Sequence, residues 1–72
     1  MKKSRIVRDL CGNEYLVEEA HDLSGSFLEV YEVFDVDGVR SQSYLFDVDV
    51  PLHSQESDIL DAIDDMREQL ND

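Results

Sequence analysis

Two runs rich in β-branched and aromatic residues flank an Asp-Gly pair in the middle of the chain. The runs are FLEVYEVFDV, residues 27–36, and VRSQSYLFDVDV, residues 39–50, with Asp37 and Gly38 between them. Val, Tyr and Phe fit the pleated surface of a sheet, and Asp-Gly readily adopts the positive φ angles of a two-residue hairpin turn. The sequence therefore predicts a β-hairpin here, which excludes an all-helical fold.

The second of these strands shows a clear alternation. Because successive side chains in a strand point to opposite faces, we expect one set to face the core and the other to face solvent. The core set is Tyr44, Phe46, Val48 and Val50, and the solvent set is Ser41, Ser43, Asp47 and Asp49 together with Leu45. In the first strand, acids recur every three residues, which suits a helix as well as a bulged strand, but its Val and aromatic content favours a strand.

The N-terminal part of the chain predicts another hairpin, and the C-terminal part predicts a helix. SRIVRDL and EYLVEEA flank the turn sequence CGNE, and HDLSGS then interrupts the pattern. Pro51 ends the last strand, and Ser54 or Ser57 offers an N-cap. Ile59, Ile63, Met66 and Leu70 recur at helical spacing, so we expect them to form one buried stripe packed on the sheet. We predict a single α+β domain over residues 1–72, ordered ββββα, with an antiparallel sheet at about 4–50 and a helix at about 55–71 across one face.

Charge is distributed unevenly along the chain. Six Lys and Arg stand against eighteen Asp and Glu, for a formal net charge of −12. Four of the six bases lie in a basic N-terminal tip, residues 1–8, and from Asp9 onward only Arg40 and Arg67 accompany all eighteen acids. Such a balance opposes direct binding to nucleic acid or to an anionic membrane, so it predicts a partner with a basic surface.

Catalytic, metal and cofactor signals are weak. Cys11 is the only cysteine and therefore forms no internal disulfide, while the absence of a long apolar run predicts a cytoplasmic protein with no signal peptide or membrane span. His21 and His53 lack the spacing of a zinc site, and DVDG lacks the spacing of an EF-hand loop. No base is expected beside any serine. We expect no enzyme activity, no metal and no cofactor.

The predicted helix carries an unusual line of acids. This acidic stripe consists of Asp58, Asp61, Asp65, Glu68 and Asp72, and Asp64 lies next to it. Arg67 is the only base in this segment that could offset the repulsion between the acids. Like charges at this spacing each destabilise a helix by about a few tenths of a kcal/mol, and acids in the last turn oppose its dipole. A solvated face and a salt-adapted composition are two alternatives, while a third is imitation of a phosphate backbone, which Asp47 and Asp49 would extend if the helix lay at a sheet edge.

In size, charge, α+β pattern and the acidic segment DILDAIDDMREQLND, the chain resembles the small phage-encoded DNA-mimic inhibitors of the anti-CRISPR and anti-restriction type. The resemblance implies a stoichiometric, non-enzymatic inhibitor whose partner is a basic nucleic-acid-binding protein, such as the CRISPR subunit that reads the short motif flanking target DNA. We expect a monomer in the host cytoplasm. The alternative is an acidic accessory, adaptor or antitoxin-like module that binds through an exposed apolar edge.

Overall fold

The chain forms a four-stranded meander followed by a helix. The computed structural model describes residues 3–70, and within them the elements are β1 (Ser4–Arg8), β2 (Glu14–Asp22), β3 (Gly25–Val36), β4 (Val39–Val48) and α1 (Glu56–Leu70). The strands pair antiparallel in the order β1-β2-β3-β4. The predicted ββββα fold is confirmed, and the observed bounds of the sheet and helix lie close to the predicted ones. Asn71, at the predicted end of the helix, lies outside the described residues.

Three tight turns join the four strands. Asp37 has φ 53° and Gly38 has φ 82°, so the Asp-Gly hairpin turn is confirmed. The predicted interruption at residues 21–26 is much shorter than expected, because β2 and β3 continue to a turn at Leu23 and Ser24. There Asp22 Oδ1 accepts hydrogen bonds from the Ser24 amide at 2.8 Å and the Ser24 hydroxyl at 2.6 Å. The interrupting residues therefore form a third hairpin.

A carboxylate organises the first turn. Asp9 Oδ1 accepts hydrogen bonds from the backbone amides of Cys11 at 3.0 Å and Asn13 at 2.8 Å, and the Asn13 side-chain amide donates to Oδ2 at 3.1 Å. These bonds favour the charged carboxylate, so they lower the pKa of Asp9, with the Asn13 side chain as the largest cause. Cys11 is an exposed residue of this turn.

A β-bulge changes the faces of β4. Val30 pairs with Phe46, whereas the next residue, Tyr31, pairs with Tyr44, so Leu45 is an extra residue in β4. Tyr44 is consequently 52% exposed on the same face as Tyr31, and Leu45 packs against the core. The predictions that Tyr44 faces the core and that Leu45 faces solvent are therefore both wrong. Strict alternation does not hold across an inserted residue.

One face of the sheet and one side of α1 form the core. The helix contacts both edge strands, β1 and β4, so it crosses the sheet. The buried apolar side chains among the described residues are Val7, Tyr15, Val17, Leu28, Val30, Phe46, Val48, Ile59 and Ile63. Met66 packs against this core, but Leu70 is 64% exposed, so the prediction that Leu70 belongs to the buried stripe is wrong. The packed stripe ends one turn before the helix does.

The start of α1 is held by backbone contacts and by Arg5 of β1. The Gln55 carbonyl accepts the Ile59 amide at 3.2 Å, so Gln55 is the N-cap, and the prediction of Ser54 or Ser57 there is wrong. Arg5 Nη1 donates to the carbonyl oxygens of Leu52 at 3.1 Å and Ser54 at 2.7 Å. Arg5 therefore ties the connection before α1 to the edge of the sheet.

Candidate functional site

The side of α1 that points away from the sheet is acidic along most of its length. With about 100° of rotation per residue, its acids occupy about 120° of the helix circumference, opposite buried Ile59 and Ile63. All of its members are exposed. This acidic face consists of Asp58, Asp61, Asp64, Asp65 and Glu68. Asp72, the last member of the predicted stripe, lies outside the described residues.

Arg67, the single base of α1, contacts the sheet and does not neutralise the acids of the helix. The Arg67 guanidinium carbon lies 5.8 Å from the centre of the Tyr15 ring, and Nη1 donates a hydrogen bond to the Tyr15 hydroxyl. Burial raises the pKa of Tyr15, and the positive charge of Arg67 partly offsets that rise. Within residues 3–70, no member of the acidic face forms an ion pair. Arg67 thus stabilises the packing of the helix and leaves the acidic face uncompensated.

The two acids predicted to extend this surface lie elsewhere. In the register of β3 and β4, Asp47 lies opposite Glu29, on the face of the sheet that α1 does not cover. Asp49 follows the end of β4 and lines a cleft of about 260 Å³ together with Glu19, Ser26 and Phe27. The predicted extension required a helix at the edge of the sheet, whereas α1 crosses it. The structure therefore brings the helix acids together and separates Asp47 and Asp49 from them.

A groove lies beside the acidic face. It has a volume of about 570 Å³ and is formed by the first turn and the N-terminal half of α1. Leu10, which is fully exposed, and half-buried Leu60 supply apolar surface, while Asp61 and Asp64 of the acidic face line the same groove. The sequence pattern gave no sign of this groove, because it depends on where the turn meets the helix. It places apolar contact area next to dense negative charge.

One polar cluster contradicts an expectation from the sequence. His21 pairs with Ser26 across β2 and β3, and the Ser26 hydroxyl lies 2.8 Å from His21 Nδ1. The expectation that no base adjoins a serine is therefore wrong. Glu19 Oε1 lies 3.6 Å from His21 Nε2, but the His21 side chain is 66% exposed to water. Catalytic serines need a shielded base and preorganised oxyanion donors, so this proximity alone carries no catalytic assignment.

The face of the sheet opposite α1 carries an apolar row that crosses all four strands. The register pairs Ile6 with Leu16, Leu16 with Tyr31, and Tyr31 with Tyr44. The two tyrosine rings contact each other edge to face, with centroids 5.7 Å apart. We call this set, Ile6, Leu16, Tyr31 and Tyr44, the outer row. Sequence reasoning missed it because its members come together only through the strand register and the bulge.

Comparisons with protein-family models, with curated proteins and with solved structures found no match to this chain. Within residues 3–70 there is no group of three or more His, Cys, Asp or Glu side chains arranged to hold a metal ion. No helix in the described part of the chain is long and apolar enough to cross a membrane. Function is therefore inferred from the chain's own residues and their arrangement.

Proposed function

We propose that this chain is a non-enzymatic inhibitor that presents the acidic face of α1 to a basic nucleic-acid-binding protein in the cytoplasm. One observation carries the proposal: five exposed acids share one side of the helix, and the only base of that helix binds Tyr15 instead of neutralising them. Among targets, the resemblance to phage inhibitors favours a CRISPR surveillance complex at its DNA-reading or motif-reading site.

The spacing of the acids supports imitation of a phosphate backbone. From Asp58 to Glu68 the helix rises about 15 Å, which gives roughly one charge per 4 Å of axis. A DNA strand carries one phosphate per about 3.4 Å. Lys and Arg side chains that bind successive phosphates therefore meet a similar charge density here. Binding would release the counterions gathered around the acidic face, as binding to DNA does.

Folding alone does not account for the acidic face. Like-charged neighbours three or four residues apart each destabilise a helix by about a few tenths of a kcal/mol, and Glu68 near the C-terminus also opposes the helix dipole. Solvation of a surface helix is achieved equally well by mixed charges. Exposed charge pairs alone contribute little affinity, so a partner also needs apolar contact. The groove at Leu10 and Leu60 offers apolar surface beside the charges.

The test is competition at defined salt. Purified protein is added to a CRISPR surveillance complex from a candidate host, and binding of labelled target DNA is followed at low and moderate salt. We expect stoichiometric loss of DNA binding that weakens steeply as salt rises, because each charge contact contributes to the salt dependence. Undiminished DNA binding at every salt concentration would remove this class of target.

Charge reversal locates the contact. The triple variant Asp61→Lys, Asp65→Lys, Glu68→Lys should lose on the order of 100-fold or more in inhibition, because like charges then face the basic partner. It should remain folded, because repulsion along α1 falls. Two double variants with the same change in net charge provide the control. Asp61→Lys with Asp65→Lys alters the acidic face. Asp35→Lys with Asp49→Lys alters positions away from α1. Equal losses from both pairs would show that only net charge matters, and retained inhibition by a folded triple variant would exclude the acidic face.

An accessory or adaptor module is the second candidate, and the outer row is the observation that favours it. Ile6 and Tyr44 are about half exposed on a face that α1 does not cover. An adaptor that binds mainly through apolar contact would keep its partner as salt rises, whereas a phosphate mimic would release it. The same salt series therefore separates the two candidates.

A further inference from the structure

The groove beside the acidic face has two walls that are held in place. One wall is the turn after β1, where the Asp9 carboxylate accepts hydrogen bonds from the backbone amides of Cys11 and Asn13. The other wall is the N-terminal half of α1. The Arg8 amide donates a long hydrogen bond to Glu56 Oε1 at 3.4 Å, which joins the end of β1 to the first turn of the helix. The groove is therefore formed before any partner arrives, and a preformed site loses less conformational entropy on binding.

Leu10 brings a fully exposed apolar side chain to this groove. It belongs to an ordered turn, yet its side chain is fully exposed and therefore adds no packing to the core. Half-buried Leu60 lies along the same groove, together with Cys11. A single exposed leucine is ordinary on a protein surface, but apolar side chains that line one groove of about 570 Å³ offer a place for another apolar group. The stability of the fold does not explain the exposure of Leu10, whereas contact with a partner does.

The charged side chains that line the groove are mostly acidic. Among the described residues that form it, four are acids and one is a base. The base, Arg8, already lies in an ion pair, with its Nη2 3.0 Å from Glu14 Oε1. Asp61 and Asp64 are exposed and form no ion pair within residues 3–70. An occupant therefore meets apolar surface and negative charge together, and complementarity requires an apolar group flanked by positive charge.

Charge alone would not let an inhibitor choose its target. Every protein that binds a phosphate backbone presents Lys or Arg, and contacts to phosphate position a protein without carrying sequence information. The acidic face by itself would therefore bind many basic proteins with similar affinity. Apolar contact in a shaped groove adds discrimination, because only a partner with an apolar side chain at the matching position fills it.

We propose that the groove between the first turn and α1 determines which basic protein this chain binds, by receiving a large apolar side chain that stands beside Lys or Arg in the partner. The apolar side chain contacts Leu10 and Leu60, and the basic side chains meet Asp61 and Asp64. Charge complementarity determines this choice of occupant. The inference rests on the function proposed above, since it assigns a second kind of contact to the same partner.

A second copy of the chain fits this groove poorly. Within residues 3–70 the fully exposed leucines are Leu10 and Leu23, and each directly follows an aspartate, Asp9 or Asp22. Placing either leucine in the groove of another copy would bring that carboxylate against the acids of the groove. Two copies would also bring together two chains that each carry a net charge of −12. A basic partner removes both sources of repulsion.

Synthetic peptides test the groove without a known target. The probe is a short fluorescein-labelled peptide with one leucine between lysines. One control peptide has Gln in place of the leucine, and the other has Gln in place of each lysine. We expect the unchanged chain to bind the probe about tenfold more tightly than either control, with amide chemical-shift changes at Leu10 and Leu60. Binding of either control peptide as tightly as the probe would overturn the proposal.

Two leucine substitutions locate the contact. Leu10→Ser removes apolar surface from the groove, and Leu23→Ser makes the same change in the turn at the other end of β2. Both leucines are fully exposed, so both variants should stay folded, which amide spectra verify. We expect Leu10→Ser to lose most of the preference for the leucine probe over the peptide without leucine, whereas Leu23→Ser should keep it. A full preference in Leu10→Ser, or an equal reduction in both variants, would contradict contact at Leu10.

The DNA competition assay separates this inference from the proposed function. If the unchanged chain does not displace labelled DNA, the proposed function fails, and the peptide measurements still decide whether the groove selects an apolar side chain beside Lys or Arg. If the unchanged chain displaces DNA, Leu10→Ser should require on the order of tenfold higher concentration with the same salt dependence, because no charge has changed. Equal competition by Leu10→Ser and Leu23→Ser would exclude the groove and leave the acidic face alone as the contact.

Discussion

At the scale of single residues, Tyr44 shows how a local contact sets a chemical property. Its hydroxyl donates to Asp47, and that hydrogen bond is the main reason that the pKa of Tyr44 is raised to about 12. Ionisation would place a phenolate against a carboxylate, with Glu29 also nearby. The neutral hydroxyl is therefore favoured in the folded chain.

An alkaline titration tests this contact. Tyr44 ionises in the unfolded chain near pH 10, its ordinary value, but near pH 12 in the folded chain. Its contribution to stability is thus complete below about pH 10 and is lost as pH rises towards 12. Burial also raises the pKa of Tyr15, so absorbance at 295 nm should show a late titration with a component that Tyr44→Phe removes and that Asp47→Asn shifts towards 10. An unchanged late transition in Asp47→Asn would contradict the assignment to that hydrogen bond.

The same residue marks a limit of sequence reasoning. The Asp37-Gly38 turn was predictable because φ preferences are local to two residues. The faces of Tyr44 and Leu45 were not, because the extra residue is defined only against the partner strand, by the pairing of Tyr31 with Tyr44. The contact between His21 and Ser26 was missed for a related reason, since it needs the turn at Leu23 and Ser24 to set the register.

At the scale of elements, α1 combines a buried side with a charged one. Its apolar spacing was sufficient to predict the helix and the acids it exposes, because both follow from 3.6 residues per turn. Sequence alone did not tell which sheet face α1 covers, so the position of Asp47 opposite the helix could not be predicted. Nor did the spacing show that the packed stripe ends before Leu70.

Two alanine substitutions test where the packed stripe ends. Ile63 is 1% exposed, so Ile63→Ala should cost about 2–5 kcal/mol, a large part of the stability of a domain this small. Leu70 is 64% exposed, so Leu70→Ala should cost less than about 1 kcal/mol. Urea denaturation followed by far-UV circular dichroism measures both values. Comparable costs at the two positions would show that α1 packs along its whole length.

At the scale of the whole molecule, charge repulsion extends across the fold. The described residues span 39 × 33 × 22 Å, which is comparable to the Debye length of about 30 Å at 0.01 M salt and well above the 10 Å at 0.1 M. Low salt therefore lets distant acids repel one another, whereas moderate salt limits repulsion to close neighbours.

Salt should accordingly stabilise the fold. Raising salt from about 0.01 to 0.1 M should increase Tm by about 4–8 °C, if screening recovers about 1 kcal/mol. Differential scanning calorimetry measures the change. The Asp61→Lys, Asp65→Lys, Glu68→Lys variant carries less net charge, so its increase should be smaller. A Tm independent of salt in the unchanged chain would mean that repulsion contributes little to stability.

The meander also has a consequence for how the chain folds. Every strand pairs with its neighbour in sequence, so each hairpin closes only a short loop, and such local closures are fast. The docking of α1 on β1 is different, because Arg5 meets the carbonyls of Leu52 and Ser54 across 47 and 49 residues. We therefore expect the hairpins to form early and α1 to dock on the sheet in the transition state. The apolar side of the sheet is covered only when α1 has docked.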